Sequence, residues 1–248
     1  VVEVSGLTKY YGDFRAIHNV SFSAGRGEIL GFLGQNGAGK TTTMRIITGF
    51  LPATEGTVHV EGFDIARDPY EARRRIGYLP ENPPLYYDMM VASYLRFVGR
   101  IKGVSREAIG AAVDGVINRC SLADAATRPI RHLSKGYRQR LGLAQALIHQ
   151  PSILILDEPT LGLDPKQIIE IRSLIKELAG DRTVILSTHN LSEVSQLCDR
   201  LVIIRDGRIA RQGSLGDLTR GATLEEVFLH CTAKDPVEEI GARAEFSP

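Results

Sequence analysis

Apolar and polar residues alternate along the first stretches of the chain, in VVEVSGL (1–7) and AIHNVSFS (16–23), with turn signals at Gly12–Asp13 and Gly25–Gly27. A period of two places every second side chain on one face, and GTVHVEG (56–62) repeats it, so an antiparallel β-layer with one buried face is predicted. EILGFLG (28–34) and SILILDEP (152–159) are continuous apolar runs, the pattern of strands buried on both faces in a parallel sheet. From about Tyr86 to Gln150 the period becomes helical: Ile109, Ala112, Val113, Val116, Ile117 and Cys120 fall on one stripe, with Ser105 as the expected N-cap. Asp164 caps and Pro165 opens a further helix, whose Ile168, Ile171, Leu174, Ile175 and Leu178 form one face and which Gly180 ends. TVILSTH (183–189) is the next strand, and LVIIRDGRIARQG (201–213) reads as a hairpin about Asp206–Gly207. Beyond Gly213 the pattern weakens to a short helix in TLEEVFLHC and a polar tail over 232–248. The expected fold is α/β: a core over 1–85 and 151–220 carrying the N-terminal β-layer, and a helical insertion over 86–150.

Composition narrows the function classes. Thirty basic and 29 acidic residues leave a net charge of +1, which carries no electrostatic footprint for nucleic acid. Apolar runs such as Ile153–Leu156 and Leu201–Ile204 are four residues long. A membrane span needs about 20 apolar residues, so no crossing of the bilayer is expected. Cys120, Cys198 and Cys231 are scattered and lack metal-ligand spacing, which fits buried small hydrophobes in a reducing compartment. The chain opens on Val1, compatible with a processed or trimmed start, and no signal-peptide pattern follows, so a cytoplasmic location is expected.

The chemistry begins at GQNGAGKTT (34–42), which satisfies G-x-x-x-x-G-K-[ST] with Gly34, Gly39, Lys40 and Thr41. In such a loop (Gly34, Gln35, Asn36, Gly37, Ala38, Gly39, Lys40, Thr41 and Thr42) backbone N–H groups curl around a triphosphate. Lys40 reaches the β/γ-phosphates and Thr41 offers its hydroxyl to Mg²⁺. An apolar strand ends in the loop and TTMRIITGF (42–50) starts a helix whose N-terminus faces the phosphates. A nucleoside triphosphate is therefore the expected ligand. ILILDE then sets Asp157 and Glu158 at the carboxyl end of a buried strand, where α/β sheets expose their ligands. An acid there can hold Mg²⁺ through water and its neighbour can polarise an attacking water.

Together with LSKGYRQR (133–140), LDEPTLGLDP (156–165) and STHNLSE (187–193), these motifs resemble the ATP-binding subunit of ABC transporters from Val4 to about Gly213. YLPENPPLYYDMM and LSKGYRQR bring the chain nearest the branch serving ABC-2-type export and gliding-motility systems. The resemblance implies a P-loop NTPase (RecA-like) core, ATP and Mg²⁺ as cofactors, and hydrolysis of ATP. Ser134 and Gly136 lie just before an amphipathic helix whose free N–H groups make a second anion site. In the family two subunits pair head to tail, so Ser134, Lys135, Gly136 and Tyr137 would close over the partner's ATP. Asp164 resembles the loop joining the two sites and serves equally as an N-cap. His189 resembles the switch histidine that contacts the γ-phosphate and holds Glu158 and the water. Tyr11 matches the adenine-stacking aromatic, with Tyr10 its competitor. His18, His59, His132, His149 and His230 have no such support.

Three positions depart from the family's usual pattern. Glu81 stands where Gln is usual; it can still offer oxygen to Mg²⁺ beside Thr41 and Asp157, but adds negative charge near Glu158. Lys135 and Tyr137 stand where Gly and Gln are usual, and Lys135 either adds charge near the partner's γ-phosphate or points to solvent. NPPLYYDMM (82–90), aromatic and Met-containing, suits docking to a membrane subunit, an integral-membrane permease. The implied protein is an ATPase subunit forming a homodimer or a heterodimer with a second ATP-binding subunit. It would be peripheral on the inner membrane face through the permease, in an exporter. A soluble mechanical ATPase of the same superfamily and an ATP-binding regulatory subunit with weak hydrolysis are the competing readings.

Overall fold

The computed structural model describes residues 1–233. In chain order the elements are β1 Val2–Tyr11, β2 Phe14–Ala24, β3 Ile29–Leu33, α1 Lys40–Ile47, β4 Glu55–Val60, β5 Phe63–Asp64, α2 Pro69–Arg73 and β6 Ile76–Leu79. There follow α3 Val91–Ile101, α4 Ile109–Arg119, α5 Lys135–Leu147, β7 Ile153–Asp157, α6 Pro165–Ala179, β8 Thr183–Thr188 and α7 Leu191–Leu197. The chain continues through β9 Arg200–Arg205, β10 Arg208–Ser214, α8 Leu215–Leu218 and α9 Leu224–Thr232. The tail expected over 232–248 lies outside the described residues from 234 onward, and Thr232 is the last residue of α9.

Alternation in the N-terminal third produces the expected antiparallel layer, a four-stranded sheet in the order β2-β1-β4-β5. Its buried faces carry Val2, Val4, Leu7, Ile17, Val20, Phe22, Val58 and Val60. The continuous apolar runs form a six-stranded sheet, β10-β9-β3-β8-β7-β6, parallel except where β10 returns on β9 through Asp206–Gly207. Both turn residues have positive φ, 48° and 73°, as a tight right-twisting hairpin requires.

The parallel sheet divides two hydrophobic clusters by simple alternation. Leu30, Phe32, Ile153, Ile155, Ile185, Val202 and Ile204 face α1 and the β-layer. Ile29, Leu33, Leu154, Leu156, Val184, Leu186, Leu201 and Ile203 face α3–α6 and the C-terminal helices. β3, β7 and β8 are therefore buried on both faces and read as unbroken apolar strings.

The helices follow their caps. Asp164 accepts from the Gln167 N–H at 3.0 Å and Pro165 opens α6, so both expected start signals hold. Ile171, Ile175 and Leu178 are its fully buried positions. Gly180 ends α6 but keeps a right-handed conformation, φ −55°. Ser105 differs from expectation: it accepts from the Ala108 N–H at 3.3 Å in a turn before α4, and Ala108 is the N-cap residue itself. A further turn of backbone, closed by the Ile109 N–H on the Ser105 carbonyl, separates the hydroxyl from the regular helix. Among the described residues no helix is long and apolar enough to cross a membrane.

Candidate nucleotide site

The phosphate loop bridges β3 and α1 and is held from three directions. The Gly34 N–H reaches the Thr188 carbonyl, the Gly207 N–H donates to the Ala38 carbonyl at 3.1 Å, and the His18 N–H donates to the Gly207 carbonyl at 2.7 Å. The β9–β10 turn thus pins the loop to the β-layer. Gly34 has no room for a side chain, since a Cβ would sit 2.6 Å from the Ile204 carbonyl oxygen. Gly39, the N-cap of α1, has φ 103°, and a Cβ there would approach Ile17 Cγ2 to 2.6 Å and the Ala16 carbonyl oxygen to 3.0 Å. These glycines let the loop turn tightly, and Gly39 leads straight into the free N–H groups of α1.

Lys40 is buried, and its Nζ donates to the carbonyls of Gly34 at 2.8 Å and Gln35 at 3.2 Å. The same ammonium lies 3.2 Å from Glu158 Oε1, and both side chains are only 6–7 % exposed. The other Glu158 oxygen, Oε2, meets His189 Nδ1 at 2.8 Å. With a proton on Nδ1, the histidine donates that bond and turns Nε2 outward as an acceptor. Its ring is 42 % exposed, so it bounds the cleft that Lys40 and Glu158 underlie. Glu158 has φ 51°, a left-handed conformation that a non-glycine residue keeps only where its surroundings enforce it. Here the Glu158 N–H bonds the Ser187 carbonyl at 2.9 Å and its own carbonyl receives the Leu161 N–H.

Asp157 ends β7 beside Ser187 of β8 and is fully buried. Burial pushes its carboxyl above the ordinary carboxylate range, against the opposing pull of the nearby Ser187 and Thr41 hydroxyls; the charges of Glu158 and Glu81 push the same way as burial. Neither carboxylate oxygen has a hydrogen-bond partner. A buried acceptor pair without donors, next to the Thr41 hydroxyl, fits a hard cation arriving with a triphosphate. No group of three or more His, Cys, Asp or Glu side chains suited to a metal occurs among the described residues. One hydroxyl and nearby carboxylates are a sparse donor set, of the kind that leaves further Mg²⁺ positions to phosphate oxygens and water.

A cleft of about 400 Å³ opens above these groups, lined by Tyr11, Phe14, Asn36, Gly37, Gly39, Lys40, Thr41, Thr42, Glu81, Glu158 and His189 among others. The structure thereby brings together the phosphate loop, the acid after β7, the histidine after β8, Tyr11 and Glu81. Tyr10 is not on the lining. Three lining residues lie outside the set that the sequence singles out: Phe14, Ala16 and Leu161. Phe14 faces Tyr11 across the Gly12–Asp13 turn and is 67 % exposed, a second aromatic at the mouth. An exposed Phe beside a turn was the available sign.

The signature residues are not in this cleft. Ser134 is the N-cap of α5 and accepts from the Tyr137 N–H, while Gly136 lies inside the first turn rather than before it. Tyr137 donates its hydroxyl to Asp124 at 2.6 Å, which ties the helix start to the insertion and raises the pKa of the phenol. A Cβ on Gly162 would collide with Lys135 Nζ, so the Lys135 ammonium lies against the loop that leads to Asp164. The chain thus has one helix start, that of α1, on the cleft lining, while the start of α5 is not on it.

Comparison with known proteins meets this geometry. The ABC transporter family model matches residues 17–161. A Nod factor export ATP-binding protein of Ralstonia nicotianae is 39 % identical over 236 residues, covering 92 % of this chain and 72 % of that protein. The solved ATP-binding subunit of an ABC transporter superposes with TM-score 0.85 at 31 % identity, over 93 % of this chain and 99 % of that one. A dimeric post-hydrolysis state of an ATP-binding cassette, bound to ADP and phosphate, superposes with TM-score 0.78 at 26 % identity, over 87 % and 99 %. By fold, by the loop-and-carboxylate geometry and by these similarities, the chain belongs to the ABC transporter family as one of its ATPase cassettes.

Proposed function

We propose that this chain dimerises around ATP, hydrolyses it, and drives a membrane-spanning permease that works as an exporter. The observation that carries the reading is Glu158, whose two oxygens contact Lys40 and His189 at the floor of one cleft. Glu158 orients and polarises the attacking water, and His189 holds that carboxylate in place while facing the γ-phosphate. Lys40, freed from the loop carbonyls by rotation about its stem, meets the β/γ-phosphates. Tyr11 stacks on the adenine. Thr41, Asp157 and Glu81 would hold Mg²⁺, which when bound would neutralise charge on the phosphate oxygens.

Ser134, Lys135, Gly136 and Tyr137 act in trans, because their helix start lies outside the chain's own cleft. A related cassette is known as a dimer with ADP and phosphate, which supports the same pairing for this chain. A closed dimer that binds ATP better than the open one converts nucleotide binding into motion. The export direction is supported by the relative named for Nod factor export, and the docking surface by the exposed Tyr86, Tyr87 and Met90. With no helix of membrane-spanning length among the described residues, attachment to the cytoplasmic membrane face runs through the permease.

Phosphate release by the full chain with Mg-ATP, and identification of the proteins that copurify with it, test the reading. Turnover lost in Glu158→Gln, together with a multi-span membrane protein in the purified complex, supports it. Stimulation of turnover by nucleic acid or ribosomes, without a membrane partner, overturns transport coupling.

A further inference from the structure

Glu193, in the first turn of α7, is 1 % exposed and is not among the residues that line the cleft. Its two oxygens are nevertheless fully engaged. Oε1 accepts from the Thr160 hydroxyl, and Oε2 accepts from the Thr188 hydroxyl at 2.6 Å. Thr160 lies two residues after Glu158, in the loop that follows β7, and Thr188 immediately precedes His189. Thr188 Oγ1 also accepts from the Asn190 N–H at 3.0 Å, so the backbone on the far side of His189 is tied to the same hydroxyl. Arg172 of α6 brings its Nε to 3.9 Å from Glu193 Oε1, and its Nη1 donates to Ser192 and Gln196 on α7.

We infer that Glu193 is a positioning residue that sets the distance and mutual orientation of Glu158 and His189. The inference rests on the ATPase reading above. A single carboxylate clamps the segments that carry the two cleft groups, each within two residues of the clamp point. A buried carboxyl group is poorly explained by stability alone, since well-packed apolar side chains of similar volume often serve a fold equally well. What a carboxylate adds is two acceptors at fixed separation, one for each hydroxyl. Movement of the loop after β7 is thereby transmitted to the histidine, and the Glu158–His189 bond is preserved as either segment shifts. Neither threonine nor Glu193 needs to touch the nucleotide for this to matter.

Glu193→Gln keeps volume and one acceptor oxygen but replaces the other by an amide nitrogen, so one hydroxyl can no longer donate there and its bond must reverse or break. In the full chain kcat should fall at least tenfold, with KM for ATP and the affinity for ATP each within twofold of wild type. Thr160→Val and Thr188→Val should reproduce the kcat loss, and Thr160→Ser and Thr188→Ser should recover most of it. The ¹⁵N signals of the His189 ring should move in Glu193→Gln, reporting an altered bond to Glu158. An unchanged kcat in Glu193→Gln, or losses of kcat and ATP affinity in parallel with a fall in melting temperature, would overturn the assignment. Wild type without turnover, alone and with its copurified partner, instead sinks the ATPase reading itself.

Discussion

Glu158 and His189 meet through one 2.8 Å contact, Oε2 to Nδ1, and Glu158 adopts a left-handed backbone angle to present that oxygen. Strain of this kind persists where neighbouring structure over-determines it and gathers at functional sites. Glu158→Gln should therefore reduce kcat by about 100-fold or more, the scale of a positioned acid–base group, while ATP binding survives. His189→Ala should lose a comparable factor. Single-turnover phosphate release separates these effects from binding, and equal losses in ATP affinity would contradict the assigned roles.

Gly39 admits no side chain. A Cβ would enter contact with both Ile17 and the Ala16 backbone, at a φ that L-residues avoid. Gly39→Ala should destabilise the chain by about 2–4 kcal/mol, combining overpacking with backbone strain, and should weaken ATP binding more than it slows the chemical step. Denaturant unfolding with and without Mg-ATP tests both parts. A variant with wild-type stability and affinity would mean the loop is free to rearrange.

His149, two residues beyond α5, ties the end of that helix to β6, with Nε2 at 3.0 Å from the Ile76 carbonyl. Burial, helped by the positive charge of Lys102, depresses its pKa to about 4. The folded chain keeps this ring neutral between about pH 4 and the unfolded value near 6.5, while the unfolded chain takes up a proton. Its contribution is complete above that unfolded value and is lost as pH falls toward the folded one. The loss should be on the order of 3 kcal/mol. His149→Gln, which retains an N–H donor, should flatten this part of the stability–pH curve relative to wild type. Identical curves would show that the ring protonates freely.

Ser134 caps α5 and is not among the residues that line its own cleft. If that helix start completes the site of a second subunit, Glu158→Gln with ATP should sediment as a dimer, and the double variant Glu158→Gln/Ser134→Arg should remain a monomer. Retention of the dimer in the double variant would remove Ser134 from the interface.

Much of this site is legible along the chain because its residues are adjacent in sequence. The spacing of Gly34, Gly39, Lys40 and Thr41 is itself the geometry of the loop, and Asp157–Glu158 follow from the end of an unbroken apolar strand. The β-layer shows in its period of two. Other parts are invisible for equally physical reasons. Glu193 reads as a polar residue in a short helix, and only the packing of α6, α7 and the loop after β7 buries it. β5 and α2, of two and five residues, are too short to display a period. The turn at 105–108 displaces a good capping residue from the helix it precedes. The contact of Lys135 with the Gly162 loop depends on how α5 and the β7–α6 loop lie together, which no local pattern in the sequence displays.

The alternating faces of the parallel sheet separate neighbours in sequence into strangers in packing. Leu154 and Ile155 share a peptide bond, yet one belongs to the helical side and the other to the side that carries α1. The two clusters share no buried side chain, and the hydrogen-bonded ribbon of the sheet lies between them. The sheet is thus a partition with a message slot at one edge, the carboxyl ends of β3, β7 and β8, where the phosphate loop, Glu158 and His189 emerge together. Substitutions among the helices can therefore change the packing on that side without replacing any side chain packed beneath the phosphate loop.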